Sequence, residues 1–286
     1  MDYVNCRLCP RACEIDRTRG QVGFCGGPDR AVVAKAMVHK WEEPALAGSG
    51  GSGAIFFSGC SLQCVYCQNR AISRGAQGTR MDGPALRRCM LELIAQGAEN
   101  IDLVTPSHYL PTVLQALEER LPVPVVYNCG GYESVEAIRA LEGKVDIYLP
   151  DLKYGDDLLA KQLSKAPNYF EIATEAIQEM VRQVGPPRWE GEKLRSGVLI
   201  RHLILPGQVE NSLRVLDWIG ETFAPGQVLV SLMRQYTPMP GLPAPLDRGV
   251  SEQEYQAVLS WMYLNDLQGF TQEAESAKES FIPDFQ

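Results

Sequence analysis

Apolar positions follow no regular period before about residue 54. From there to about residue 250, short β-branched or aromatic runs alternate with amphipathic stretches. The runs predict strands at Ala54–Ser58, Ile101–Thr105, Pro124–Asn128, Val145–Leu149, Val198–Leu205 and Val228–Leu232. Between them, Leu86, Cys89, Met90, Leu93 and Ile94 recur at helical intervals, with Asp82 as cap and Gly97 as stop. Ile177, Met180, Val181 and Val184 before Gly185 make a second helical face, and Leu213, Leu216 and Ile219 before Gly220 a third. Ser251 and Glu254 read as a capping box ahead of Tyr255, Val258, Leu259 and Met262. Beyond Gly269 the chain turns polar, which predicts a mobile tail.

Strands alternating with helices predict an α/β fold, and six such units make a partial (β/α)6 TIM-like barrel preceded by a small Cys-rich segment. The expected divisions are a Cys-rich metal-binding segment at 1–46, a Gly/Ser linker at 47–53, the barrel at 54–250, and a C-terminal helix and tail at 251–286. The linker, Ala47-Gly48-Ser49-Gly50-Gly51-Ser52-Gly53, reads as flexible by composition. No Lys-Ser or Lys-Thr follows it, so it is not a phosphate loop.

The 286 residues carry a net charge of −8 without a block of Lys or Arg, which argues against a nucleic-acid partner. A signal-peptide pattern and a run of about 18 apolar residues are both missing, so a cytoplasmic location with no membrane partner is expected. In that compartment nine cysteines point to metal ligands or buried thiols rather than disulfides.

Seven of the nine fall in two groups. Cys60, Cys64 and Cys67, spaced C-x3-C-x2-C, directly follow the first predicted strand. Three thiolates on one tight loop hold three irons of a [4Fe-4S] cluster and leave the fourth open to a small molecule, whereas structural zinc usually takes four ligands. Cys6, Cys9, Cys13 and Cys25 lie in sequence that cannot bury a core of its own, so a metal is expected to hold it together. Spacing alone leaves zinc and a second iron–sulfur cluster equally open there. Cys89 and Cys129 stand apart and read as inert buried thiols.

The triplet, with Tyr66 just before its last cysteine, resembles the radical S-adenosylmethionine superfamily. Ile55-Phe56-Phe57-Ser58-Gly59-Cys60, Gln68-Asn69 and Tyr148-Leu149-Pro150-Asp151-Leu152-Lys153 resemble the branch that contains pyruvate formate-lyase activating enzymes. The resemblance implies a [4Fe-4S] cluster that chelates S-adenosylmethionine and cleaves it reductively, yielding a radical that takes a substrate hydrogen. It further implies an electron donor such as flavodoxin or ferredoxin, and a glycyl radical enzyme or other protein as substrate.

Barrel chemistry gathers at the C-terminal ends of the strands, so groups suited to this cofactor are expected there. Many superfamily members have two glycines and a glutamate after the second strand, where this chain has Thr105-Pro106-Ser107-His108; Thr105 and Ser107 are the candidate replacements. His108 is either a substrate group or structural. Asn128 ends the third strand, and Asp151 and Lys153 share one face after the fourth. Arg201 is the candidate carboxylate clamp of the fifth, alternation sending His202 outward as a satisfied core histidine. Tyr66, Thr105, Ser107, Asn128, Asp151, Lys153 and Arg201 are thus the expected cofactor-binding residues. Arg234-Gln235-Tyr236 end the last strand without an assignable role.

The leading expectation is a radical enzyme that takes hydrogen from a glycine Cα in a partner protein. The alternatives are the same chemistry on a peptide, another protein residue or a small molecule, and a zinc-binding structural scaffold.

Overall fold

A computed structural model describes residues 1–40 and 43–272 of the chain. The expected tail at the C-terminus lies outside the described residues from 273 onward. Ten strands form the sheet: β1 (Ala31–His39), β2 (Ser52–Phe57), β3 (Thr79–Met81), β4 (Ile101–Val104), β5 (Val125–Cys129), β6 (Ile147–Pro150), β7 (Arg188–Glu190), β8 (Lys193–Leu203), β9 (Leu229–Met233) and β10 (Gly269–Thr271). Helices α1 (Pro44–Ala47), α2 (Arg70–Ser73), α3 (Gly83–Ala95), α4 (Leu110–Ala116), α5 (Val135–Ala140), α6 (Asp157–Ser164), α7 (Tyr169–Val184), α8 (Val209–Thr222) and α9 (Glu252–Leu264) accompany it.

The strand order is β10-β9-β8-β6-β5-β4-β2-β1-β3, with β7 folded back on β8. From β2 through β10 along this path all pairings are parallel, while β1 runs antiparallel to both β2 and β3. Each of the six expected strands is present, joined by helical crossovers, and the sheet stays open. This is the predicted α/β partial barrel.

Helix boundaries follow local chemistry. The Asp82 carboxylate accepts from Ala85 N at 2.9 Å to start α3, and Leu86, Met90 and Leu93 bury its inner face. Cys89 is half-buried and packs against the same core. Ser251 and Glu254 form the expected reciprocal capping box of α9.

Helix α8 carries the expected third face and runs through Gly220 to Thr222. At Gly220 the missing side chain admits Asn265, whose Oδ1 lies 3.0 Å from where a Cβ would sit. Two expectations are corrected. Residues 47–53 are not a loose tether: Gly51 N–H donates to Ala47 O at 2.7 Å, Gly50 N–H to Glu99 Oε1 at 2.8 Å, and Ser52 and Gly53 are buried in β2. Glycines here serve close backbone approach rather than flexibility. Strand β1, inside the expected leader, belongs to the sheet and pairs along the length of β2.

Most side chains of the core sit between the sheet and its helices, and β4, β5 and β6 are almost wholly buried, as a sheet covered on both faces requires. No described helix is long and apolar enough to cross a membrane.

Candidate active site

The triplet begins three residues beyond β2, at the C-terminal end of the parallel strands. Gly59 makes this approach possible: its φ is +88°, and a Cβ there would lie 2.5 Å from the Cys25 carbonyl. Ser58 O is held by His108 Nε2 at 2.8 Å. His108 is therefore a buried structural residue, and burial lowers its pKa to about 4, keeping the ring neutral.

Each triplet thiol has its own surroundings. Cys60 Sγ accepts from Leu62 N–H at 3.3 Å, and Cys64 Sγ from the Ser164 hydroxyl at 2.9 Å. The Ser73 hydroxyl lies beside Cys67 yet is buried without a hydrogen-bond partner. Burial first and the charge of Cys64 second push the Cys60 thiol up to about 12, and the same causes raise Cys67. The influence of Cys64 on both of the other thiols places the three near one another on the loop. Metal binding would remove their protons, which makes the loop a pH-dependent site. Two sulfurs with donors already aimed at them and an orphaned hydroxyl at the third suit the thiolates and sulfides of an iron–sulfur cluster.

Behind Cys64 runs a chain of hydroxyls. Tyr66 OH lies 2.7 Å from Tyr154 OH, Tyr154 OH 2.6 Å from Ser164 Oγ, and Ser164 Oγ donates to the sulfur. Tyr66 is buried, its ring centre 6.1 Å from that of Tyr236. Ser164 ends α6, so the thiol is anchored from a helix a hundred residues downstream.

A second polar group crosses the adjacent strand ends. Lys153 Nζ lies 2.5 Å from Asp151 Oδ2, Arg201 Nε donates to Asp151 Oδ1 at 2.8 Å, and Arg201 Nη2 donates to Asn128 Oδ1 at 2.5 Å. Asn128 Nδ2 in turn donates to Asp102 Oδ2 at 3.2 Å. Burial alone would raise the Asp151 carboxyl, but the charges of Arg201 and Lys153 outweigh it and hold the group below its usual value. Burial would lower Lys153; Asp151 first and Cys64 second raise it instead. Lys153 and Leu62 of the cysteine loop both lie around Gly130, 3.7 Å and 2.5 Å from where its Cβ would sit, which sets this group beside the loop. The structure brings Asn128, Asp151, Lys153 and Arg201 together, with only about one sixth of each charged side chain exposed.

Thr105 adjoins this group through its backbone, whereas the Ser107 side chain turns away from it. Thr105 has a φ of +60° and donates its N–H to Asn128 O at 2.8 Å. The Ser107 hydroxyl is bonded to Glu133, which also accepts from Tyr127 OH at 3.2 Å. His202 contacts Leu152 O at 2.7 Å and Ser212 Oγ of α8 at 2.8 Å, an outward-facing core histidine lowered to about 4 by burial. Cys129 is buried, and desolvation ahead of the Glu133 charge raises its thiol well above normal, consistent with an inert group. Arg234 pairs with Glu252 at 2.9 Å, and Gln235 O accepts from Gln68 beside the triplet.

Sequence reasoning missed Asp102, Glu133, Tyr154 and Ser164. Asp102 did leave a signal, an acid inside the apolar run Ile101-Asp102-Leu103-Val104, which demands a buried partner. Glu133 left none. Burial raises its carboxyl to about 7, against the lowering effect of Ser107 and Tyr127. A raised acid favours the folded state when protonated. Its contribution is therefore complete below the unfolded value of about 4.3 and is lost as pH climbs through about 7, on the order of 3 kcal/mol in all. Glu133→Gln is expected to flatten this slope, so that urea midpoints of variant and wild type converge near pH 5 and separate near pH 8.5. Parallel midpoints at both pH values would exclude the assignment.

The four cysteines of the leader are also gathered in space. Burial raises the Cys9 and Cys25 thiols, with Cys25 and Cys6 adding to the first, and Cys6 and Cys13 to the second. Among the described residues, no three His, Cys, Asp or Glu side chains converge on the position of a single metal ion.

The open, largely parallel sheet has the partial-barrel fold also seen in solved radical S-adenosylmethionine enzymes. Residues 46–120 match a family model described as a 4Fe-4S single cluster domain, and all three cysteines lie within it. The chain is 28% identical over 250 residues to the uncharacterized protein MJ0674 of Methanocaldococcus jannaschii, covering 82% of this chain and 67% of that one. Among solved structures, it resembles a radical SAM methyltransferase from Sphaerobacter thermophilus with a TM-score of 0.53 and 15% identity, over 77% of this chain and 66% of the other. It also resembles SuiB of Streptococcus suis bound to its precursor peptide SuiA, with a TM-score of 0.51 and 12% identity, over 75% of this chain and 46% of that one. The chain thus spans just under two thirds of the methyltransferase and about half of SuiB. The domain match is in keeping with an iron–sulfur centre at the triplet, and the likeness to solved structures is one of fold.

Proposed function

We propose that the protein is a radical S-adenosylmethionine enzyme that removes a hydrogen atom from the Cα of a glycine in a partner protein. The observation that carries this reading is the adjacency of the triplet loop to the Asn128–Asp151–Lys153–Arg201 group, which meet around Gly130. A [4Fe-4S] cluster supplies, when bound, the one electron that cleaves the sulfonium and so yields the hydrogen-abstracting radical.

The chain's own residues do the rest. Cys60, Cys64 and Cys67 anchor the cluster, and the Leu62 N–H and the Ser164 hydroxyl steady two of the sulfurs. Arg201 and Lys153 offer cations to a carboxylate, Asp151 an acceptor to ribose hydroxyls, and Asn128 fixes Arg201 in place. Burial of this group limits water around it, which strengthens each of these contacts. Glycine as target rests on the resemblance of the Tyr148–Lys153 segment to activating enzymes. A protein or peptide as substrate is also in keeping with the likeness to SuiB, whose structure holds a precursor peptide.

The test is anaerobic reconstitution with iron and sulfide, reduction, and mixing with S-adenosylmethionine and candidate glycyl radical enzymes. The expected result is deoxyadenosine and methionine in equal amounts with a glycyl doublet in the electron spin resonance spectrum. Cleavage without a doublet in any partner would move the substrate to another residue or a small molecule. Failure of a fully loaded, reduced protein to cleave at all would defeat the proposal.

A further inference from the structure

With Cys64 taken as a metal ligand, as the proposed function requires, we propose that Ser164, Tyr154 and Tyr66 act as one oriented chain of hydrogen bonds. The chain sets how firmly the Cys64 sulfur holds its metal and how readily the centre there accepts an electron. All three are positioning residues, acting through the sulfur.

The chain starts where the cysteine loop meets the end of α6. The last turn of a helix leaves carbonyls without partners inside the helix. Here Val65 N–H, the next residue after Cys64, donates to Leu163 O at 2.9 Å, and Arg11 Nη2 donates to Ser164 O at 3.1 Å. The loop is thereby part of the C-terminal cap of α6. A helix C-terminus carries partial negative charge, which is an unfavourable neighbour for an anionic sulfur. The Ser164 hydroxyl offsets this by donating to Cys64 Sγ at 2.9 Å.

Hydroxyls with one proton each fix the direction. Ser164 gives its proton to the sulfur, so its oxygen receives from Tyr154 OH at 2.6 Å. Tyr154, its own proton committed to Ser164, accepts from Tyr66 OH at 2.7 Å. All three residues are buried, and in so dry a setting successive hydrogen bonds polarise and strengthen one another. The rings are held in place, Tyr66 at 6.1 Å from Tyr236 and Tyr154 edge-on to Tyr169 at 5.1 Å. The Tyr66 hydroxyl, expected at the cofactor, is instead committed to this chain.

A donor aimed at a ligating sulfur stabilises negative charge on it, and a centre that takes up an electron becomes more negative. The chain therefore raises the reduction potential and slows loss of metal.

Ser164→Ala, Tyr154→Phe and the double variant are compared with wild type as full-length protein loaded anaerobically with iron and sulfide. Metal release into excess chelator and the midpoint potential are measured, with circular dichroism as the check on folding. Ser164→Ala is expected to release metal about tenfold faster or more and to have a lower potential. Tyr154→Phe keeps the ring and removes only the hydroxyl, so it should shift both quantities the same way by less. Added to Ser164→Ala, it should change release by no more than about twofold, because the tyrosine acts through the serine. Should Ser164→Ala fail to fold, Tyr154→Phe decides by itself. Unchanged potentials, or an equal effect of Tyr154→Phe with and without the Ser164 hydroxyl, overturn the chain. Zinc retained in place of iron by wild type defeats the proposed function instead, and the release rates then decide the chain alone.

Discussion

Cys64→Ala is expected to lose the triplet's iron and, with it, S-adenosylmethionine cleavage by at least about a thousandfold. Of the three cysteines, Cys64 is the most firmly placed: it is buried, accepts from Ser164 at 2.9 Å and lies near Lys153. Two remaining thiolates cannot retain a cubane that already lacks its fourth protein ligand. The deletion also strands the Ser164 hydroxyl and the tyrosines hydrogen-bonded behind it. Iron analysis and deoxyadenosine yield, measured on protein whose circular dichroism matches wild type, decide the matter. Retention of the full iron count would show that the three cysteines do not bind together.

Asp151→Ala should produce the largest loss of stability from a single polar change, about 3 kcal/mol. The carboxylate sits between two cations, Lys153 at 2.5 Å and Arg201 at 2.8 Å, all three mostly shielded from water. Removing it leaves the like charges of Lys153 and Arg201 facing each other, with Arg201 still bonded to the Asn128 amide. Asp151→Asn keeps the shape and removes the charge, so it should fall between wild type and alanine. The denaturant midpoint should drop in that order with an unchanged slope, and S-adenosylmethionine affinity should weaken alongside. Equal midpoints would mean that the ions are solvated and that the group is not the organised cradle described above.

The same site contains a backbone constraint of comparable severity. Gly131 has a φ of +79°, and a Cβ on it would lie 2.2 Å from Asp151 O and 2.9 Å from Tyr169 OH. Tyr169 OH is 2.9 Å from both Gly130 O and Asp151 O and accepts the Lys153 N–H at 3.0 Å. The ends of β5 and β6 are thereby tied together where the charged group begins.

The parts of this architecture that were legible in the sequence are those whose cause is local. β-branched runs such as Val125-Val126-Tyr127 announce buried parallel strands, and the six-unit barrel followed from them. The cysteine spacing announces a shared centre, and strand alternation placed Arg201 and His202 on opposite faces, as found. What stayed hidden is non-local. β1 was absorbed into the leader because its neighbours are cysteines and glycines, although its own alternation pairs it with β2. The three-residue strands β3 and β10 are too short to show any period. Ser164 and Tyr154 reach Cys64 across long stretches of chain, and Ser107 turns to Glu133 rather than to the barrel mouth, choices made by packing that no spacing rule encodes.

Among the described residues the sheet's terminal strands, β3 and β10, do not pair with each other, so the ring of strands has a flank as well as a mouth. A closed cylinder accepts only what can be threaded end-on, whereas a ring with a flank admits a bent polypeptide sideways. For the proposed protein substrate, an internal loop then enters without its ends being freed from the protein that carries it.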